Sequence, residues 1–440
     1  MFAVSEFRDR RERFCKTMGS GAAVFASTPI AMRNNGVEHE FRQDSDLYYL
    51  TGFDEPDSVL ILTTEHAEHR SVLFVRPRDP AREIWDGPRA GVEGAVANFG
   101  IDAAFPIADL ATKLPEYIQD VSRLFYRLGR DARFDTRVLR AIDVVRAKAR
   151  TGVSAPREII DPGSIVHEMR LRKSASEIEA MLRAAEITAK AHLRAMHAAR
   201  PGRYEYEIEA ELLRAFRVNG AERAAYGSIV GSGPNATVLH HRRNDRLMEA
   251  GDLLLIDAGA EYSYYACDVT RTFPISGRFT GPQRAIYELV LTAQLAAIAA
   301  VRAGATLNDI HREALEVLVA GLIKLGLIEG PLRMAIDQER YKPYYMHRTS
   351  HWLGMDVHDV GDYYVSKRPR ELEAGFVLTV EPGLYIAPGS PCDPSWHGIG
   401  VRIEDDVLVT DDGPHVLTAA IPKRVEDLEG ILVARGPDEG

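Results

Sequence analysis

A chain of 440 residues with 45% hydrophobic content has material for a sizeable core and for two domains. Its 54 basic against 64 acidic residues leave a net charge of −10, which argues against nucleic acid as the main partner and suits a soluble enzyme. No secretory signal or membrane span is legible, since the most apolar stretch, 285–303, carries Glu288 and Arg302, and three scattered cysteines, Cys15, Cys267 and Cys392, fit a reducing cytoplasm rather than a disulfide framework.

Residues 1–172 mix helical and strand periods, as an α/β domain would. A charged helix starts at Ser5, strands are expected at 22–26, 58–63 and 71–75, and 134–149 reads as a helix. The segment 76–94, rich in Pro, Gly and charge, reads as a loop. Trp85 within it has two roles open: packing on its own domain, or reaching a substrate site on another domain or subunit.

A second domain, 173–440, opens on a strong helix start. Ser174 and Glu177 make a capping box, and Ile178, Met181, Leu182, Ala185, Ala189, Leu193 and Met196 follow at helical spacing. A second helix is expected at 204–219. Then comes an acidic hairpin, DLLLIDAGAEYSYYACDVTR, whose two aspartates have their midpoint at Tyr262 and Ser263, so symmetric pairing sets Asp257 opposite Asp268. The order repeats: a helix capped by Thr280 and Gln283, a helix at 307–325, and a hairpin of FVLTVEPGLYI with GIGVRIEDDVLV. Helix, helix, hairpin is written twice, which implies two similar halves related by a pseudo-twofold.

The second hairpin repeats the chemistry, because Glu381 and Glu404 also share a midpoint in their turn. Facing like charges destabilise a hairpin unless a cation lies between them or one takes up a proton. Four such carboxylates suit two divalent ions sharing oxygens. Oxygen ligation with one imidazole favours Mn²⁺, Co²⁺ or Zn²⁺ over a thiolate site. The imidazole is expected from MHRTSHWLGMDVHDVG, which holds His347, His351 and His358. Glu does not follow His347, so this is no HExxH zinc-protease pattern, and the stretch reads as strand or turn. His240, after GSGPNATVL, is open to a substrate contact or a packing role. The two glycines there, Gly231 and Gly233, lack the third one and the setting of a dinucleotide loop.

These residues carry a family resemblance over nearly the whole chain. FRQDSDLYYLTGFDEPDSVLIL resembles the N-terminal domain of aminopeptidase P. SIVGSGPNATVLHH, LLLIDAGAEYSYYACDVTRTFP, SHWLGMDVHDVG, VLTVEPGLYI and GIGVRIEDD resemble the pita-bread metallopeptidases, which include methionine aminopeptidase and prolidase. The resemblance implies an α/β (α+β) chain, with a creatinase-like N-terminal domain ahead of a pita-bread catalytic domain. It also implies a dinuclear site, manganese by family custom, with Asp257, Asp268, His351, Glu381 and Glu404 as ligands, of which Asp268 and Glu404 bridge. His240, His347 and His358 match positions that contact substrate or stabilise the reacting carbonyl, and Arg402 matches an arginine behind the ligands. The implied reaction is hydrolysis between an N-terminal residue and a following proline by a hydroxide shared between the two ions, with Glu381 passing the proton, in a cytoplasmic homo-oligomer.

Three departures stand out. Relatives commonly show HGLSH where this chain has HRTSH, which puts Arg348 near the pocket. Cys267 stands where glycine is common, and HHRRND differs from the usual wording after the first histidine. Prolidase, which takes only Xaa-Pro dipeptides, is the rival reading, and a non-catalytic binding protein on the same fold is a third.

Overall fold

The computed structural model describes residues 2–434. It divides into two compact units, with the division between Arg170 and Leu171. The sequence signals place it two residues later, between Arg172 and Lys173, just ahead of the Ser174 cap.

In the first unit a six-stranded sheet runs in the order Ala103–Pro106, Ser71–Val75, Val59–Thr63, Ala22–Ala26, Arg123–Phe125, Glu158–Ile160. Its three inner apolar strands are buried on both faces, and helices Leu110–Ile118 and Ala132–Ala147 complete a core with Leu114, Ile118, Val138 and Ile142. The segment expected to be a loop forms two short helices instead, Pro80–Asp86 and Gly91–Phe99. The proline that reads as a breaker occupies the first helical position, where its missing N–H costs nothing, and Asp79 caps the backbone N–H of Ala81 and Arg82. Trp85 on the first of these helices is 83% exposed, so it does not pack on its own domain.

The second unit follows the duplicated order. Helix Ala175–Ala198 begins at the Ser174 capping box and packs against helix Glu205–Val218; helix Gly281–Ala299, capped by Thr280, packs against helix Leu307–Lys324, capped by Thr306. Their buried faces and both hairpins share one core that includes Ile187, Leu212, Leu254, Ile286, Leu318 and Val380.

The two hairpins differ in register. In the first, strand Leu253–Asp257 pairs with Thr270–Pro274, and Asp257 lies opposite Thr270, not Asp268. The turn is at Ser263 and Tyr264, with φ of 50° and 69°, one residue beyond the symmetric midpoint. Neither residue is the Asn or Gly that usually marks a type I′ turn, so the sequence hides it. A one-residue shift of the turn moves the pairing by two, which preserves the face each side chain occupies. The two aspartates therefore remain diagonal neighbours. In the second hairpin Val380 pairs with Asp405 and Gly383 with Arg402, and that common register carries Glu381 opposite Glu404.

Candidate metal centre

All nine residues singled out from the sequence line one cavity of about 910 Å³: Asp257, Asp268, His351, Glu381, Glu404, His240, His347, His358 and Arg402. The first hairpin supplies the two aspartates and the second supplies Glu381, Arg402 and Glu404. The two are stitched together at this point, because Glu404 N donates to Thr270 O (3.1 Å) and Thr270 Oγ1 donates to Glu404 Oε2 (2.6 Å). The histidine-rich stretch runs alongside as an extended segment, as its composition suggests. Thr379 N donates to His351 O (3.0 Å), Glu381 N donates to Thr349 O (2.8 Å), and Trp352 bridges Leu378.

One ligand-capable oxygen of Asp268, one of Glu404 and one ring nitrogen of His351 all lie within 4.8 Å of one another. His351 Nε2 is 3.4 Å from Asp268 Oδ2 and 3.5 Å from Glu381 Oε1. Its other nitrogen, Nδ1, faces the carbonyl of Trp352 at 3.0 Å and must donate there, which leaves Nε2 aimed at the carboxylates. Arg402 stands behind them. Its Nη2 donates to Asp257 Oδ2 (2.6 Å), Nε to Thr270 Oγ1 (3.0 Å) and Nη1 to the Tyr385 hydroxyl (3.0 Å).

The charge balance at this site calls for more cations. Four carboxylates meet Arg402 and the His351 ring, and burial raises the pKa of Glu404 well above the carboxylate range, helped by Asp268 and Glu381. Burial likewise raises Asp257, against the pull of Arg402, and lifts Glu381 to about 7. Asp268 moves down despite burial, because of its contact with His351. His351 is the counterpart: burial opposes its charge, yet Asp268 and Glu381 hold its pKa up at about 9. Oxygen donors with one nitrogen, a surplus of buried negative charge and a fixed imidazole whose Nε2 proton a cation would displace fit divalent metal ions.

Sequence reasoning missed Tyr226. Its hydroxyl lies 2.6 Å from Asp257 Oδ1 and 2.5 Å from Asp268 Oδ1, and so ties the two aspartates together. A tyrosine in the loop AAYGS gives no spacing signal for this. Arg271 was also missed: fully buried, it donates to Glu404 O (2.5 Å) and to Asp405 Oδ1 (2.7 Å), where Lys423 and Gln294 also converge. Cys267 faces away from the cavity into an apolar cluster with Ala184, Ala185, Val269 and Ile421, and burial keeps its thiol protonated. It packs behind the acidic residues.

The histidines divide by what already holds them. His347 Nδ1 lies 2.8 Å from the Arg348 carbonyl and Nε2 lies 2.9 Å from the Tyr385 hydroxyl, so both nitrogens are engaged, and burial lowers its pKa to about 4. His358 stacks edge-on to His351 at 4.3 Å between ring centroids and is exposed to the cavity. His240 is exposed as well, while the adjacent His241 reaches Glu205 at 3.0 Å. Glu205 also accepts from Ser232 N, Ser232 Oγ, Asn235 Nδ2 and Arg246 N, which folds the His240 loop onto the cavity. A second grouping of possible ligands, Glu205, His241 and Asp245, is thereby accounted for by hydrogen bonds.

Comparison with known proteins identifies the family. Residues 179–411 match metallopeptidase family M24, and residues 7–126 match the aminopeptidase P N-terminal domain. The chain is 43% identical to the Xaa-Pro aminopeptidase of Escherichia coli over 432 residues, 98% of both chains. It is 42% identical to that of Haemophilus influenzae over 428 residues, 97% of both. Among solved structures, Pseudomonas aeruginosa aminopeptidase PepP superposes with a TM-score of 0.97 at 49% identity, covering 99% of each chain. A substrate complex of Escherichia coli aminopeptidase P gives 0.96 at 42% identity, again over 99% of each. The mixed helix-and-strand architecture expected from the motifs is thus the one observed, and this chain is a metallopeptidase of family M24 with an aminopeptidase P N-terminal domain.

Proposed function

We propose that the protein removes the N-terminal residue from peptides whose second residue is proline, using two divalent ions, Mn²⁺ with Zn²⁺ or Co²⁺ as substitutes. The observation that carries this reading is the convergence of Asp257, Asp268, His351, Glu381 and Glu404 on one cavity, in a chain 43% identical to a Xaa-Pro aminopeptidase. In this reading residues 173–440 are the catalytic domain and 1–172 the creatinase-like domain. Asp257, Asp268, His351, Glu381 and Glu404 would hold the ions, with Asp268 and Glu404 shared between them, Asp257 serving one and His351 with Glu381 the other. Ions bound there supply a water of lowered pKa and polarise the carbonyl before proline.

The chain's own residues do the rest. Glu381 takes up a proton at its carboxylate and returns it to the leaving proline nitrogen. Arg402 fixes Asp257 through a charge-assisted hydrogen bond, so that ligand keeps its orientation as the charge in the site changes. His358 donates to the carbonyl oxygen as negative charge develops. His347 is the weaker candidate for that role, because Tyr385 and the Arg348 carbonyl already use both of its nitrogens. It and His240 shape the walls that receive the peptide. The amino group of the substrate sits at the acidic floor beside Asp257.

The cellular setting is the cytoplasm, which the three unpaired cysteines support, and assembly is as a homo-oligomer, which rests on the family resemblance. No helix among the described residues is long and apolar enough to cross a membrane. Hydrolysis of peptides that vary in length and in the second residue, with and without Mn²⁺, tests the assignment. Mn²⁺-dependent release of the first residue from Xaa-Pro-Xaa is expected. Turnover confined to Xaa-Pro dipeptides would favour prolidase, and no turnover with metal bound would favour a binding protein.

A further inference from the structure

The cavity has two chemically distinct parts. Its floor is the acidic ligand set. Its wall includes Leu307, Asn308 and Arg348. Arg348 lies between His347 and His351 in sequence, is exposed to solvent, and donates through Nη2 to the Asn308 amide oxygen. That bond is to a neutral group. Among the described residues no carboxylate lies within ion-pair distance of the Arg348 guanidinium. The acid next to Asn308 in sequence, Asp309, is engaged by Thr306 in a capping box and by Arg312 at 3.0 Å. The charge of Arg348 is felt locally, since it adds to burial in lowering the pKa of His311 to about 4.

A guanidinium on the cavity wall with no carboxylate partner, in a chain of net charge −10, is available to an anion that the protein does not itself provide. In the function proposed above the peptide's ammonium group sits beside Asp257, and the metal ions use the charge of the floor carboxylates, so a carboxylate further along the peptide has Arg348 on the wall as its counter-charge. The two ends of a short peptide are therefore sorted to opposite parts of the cavity. Resting on the function proposed above, we infer that Arg348 forms a carboxylate-binding subsite that selects peptides carrying a negative charge beyond the scissile bond. That charge is either the chain's own C-terminus or an acidic side chain after proline. Both present the planar pair of oxygens that a guanidinium fork matches.

The test compares three peptides, Ala-Pro-Ala amide, Ala-Pro-Ala with a free C-terminus, and Ala-Pro-Asp amide, on the Mn²⁺-loaded wild type and on Arg348→Gln and Arg348→Lys. The wild type is expected to show a KM about fivefold lower for a carboxylate-bearing peptide than for the neutral amide, the range of a partly exposed ion pair. Arg348→Gln should abolish that preference while cleaving the neutral amide as the wild type does, and Arg348→Lys should retain part of it. A gain limited to the free C-terminus assigns the subsite to the chain end; a gain limited to the Asp peptide assigns it to the side chain. Equal KM for all three in the wild type, or an undiminished preference in Arg348→Gln, overturns the inference. Failure of the metal-loaded wild type to cleave any of them overturns the functional reading, and the inference with it.

Discussion

Arg402 Nη2 donates to Asp257 Oδ2 at 2.6 Å, joining a residue of the second hairpin to a carboxylate of the first. The same guanidinium reaches Thr270 and Tyr385, so it occupies three acceptors in fixed directions. A lysine offers one flexible point charge in its place. Arg402→Lys should therefore weaken Mn²⁺ binding by about 10- to 100-fold, the usual range for a partner behind a metal ligand. Isothermal titration with Mn²⁺ reads this directly, and circular dichroism checks that the fold is retained.

Tyr226 holds Asp257 and Asp268 with one hydroxyl. Tyr226→Phe keeps the ring and removes only that tie. We expect Mn²⁺ affinity to fall by about tenfold with thermal stability nearly unchanged. A Phe variant with wild-type affinity would show that the ions alone orient the aspartates.

His192 is buried in helix Ala175–Ala198, with Nε2 3.0 Å from the Ala258 carbonyl, and burial lowers its pKa from 6.5 to about 4. The unfolded chain binds a proton there at a higher pH than the folded one. The contribution is complete above pH 6.5 and is lost as pH falls from 6.5 toward 4. The shift corresponds to about 3 kcal/mol. His192→Gln, which retains a donor for Ala258, should remove that part of the acid sensitivity. Urea unfolding at pH 7 and pH 4.5 in both proteins measures it.

Gly259 lies where the first hairpin crosses itself. A Cβ built there would sit 1.7 Å from the Cys267 carbonyl oxygen, a backbone atom that cannot retreat without moving Asp268. Gly259→Ala should lower the melting temperature by about 2 °C, as about 2 kcal/mol of strain would in a chain of 440 residues. It should weaken Mn²⁺ binding in parallel.

The residues that announce themselves in the sequence are those whose signal is local or duplicated. Capping boxes at Ser174 and Thr280 mark two helices of the second unit, and the repeat of paired acids marks both hairpins. The register of the first hairpin was hidden because Ser263 and Tyr264 adopt left-handed conformations without a telltale glycine or asparagine. The opposition of Glu381 and Glu404 was readable because their hairpin keeps one register on both sides of them. Tyr226 and Arg271 act across 31 or more residues of sequence, and no period connects such distant partners. The helix at Pro80 was concealed for the opposite reason, since a residue that stops a helix also starts one.

In the function proposed here Asp257, Asp268, Glu381 and Glu404 hold two divalent ions at the seat of turnover. Metal analysis of purified Glu404→Ala, paired with its rate on Ala-Pro-Ala in Mn²⁺, addresses it most directly. The account predicts a folded protein that retains at most one ion per chain and has lost essentially all turnover. A Glu404→Ala protein that holds both ions and cleaves at the wild-type rate would contradict it.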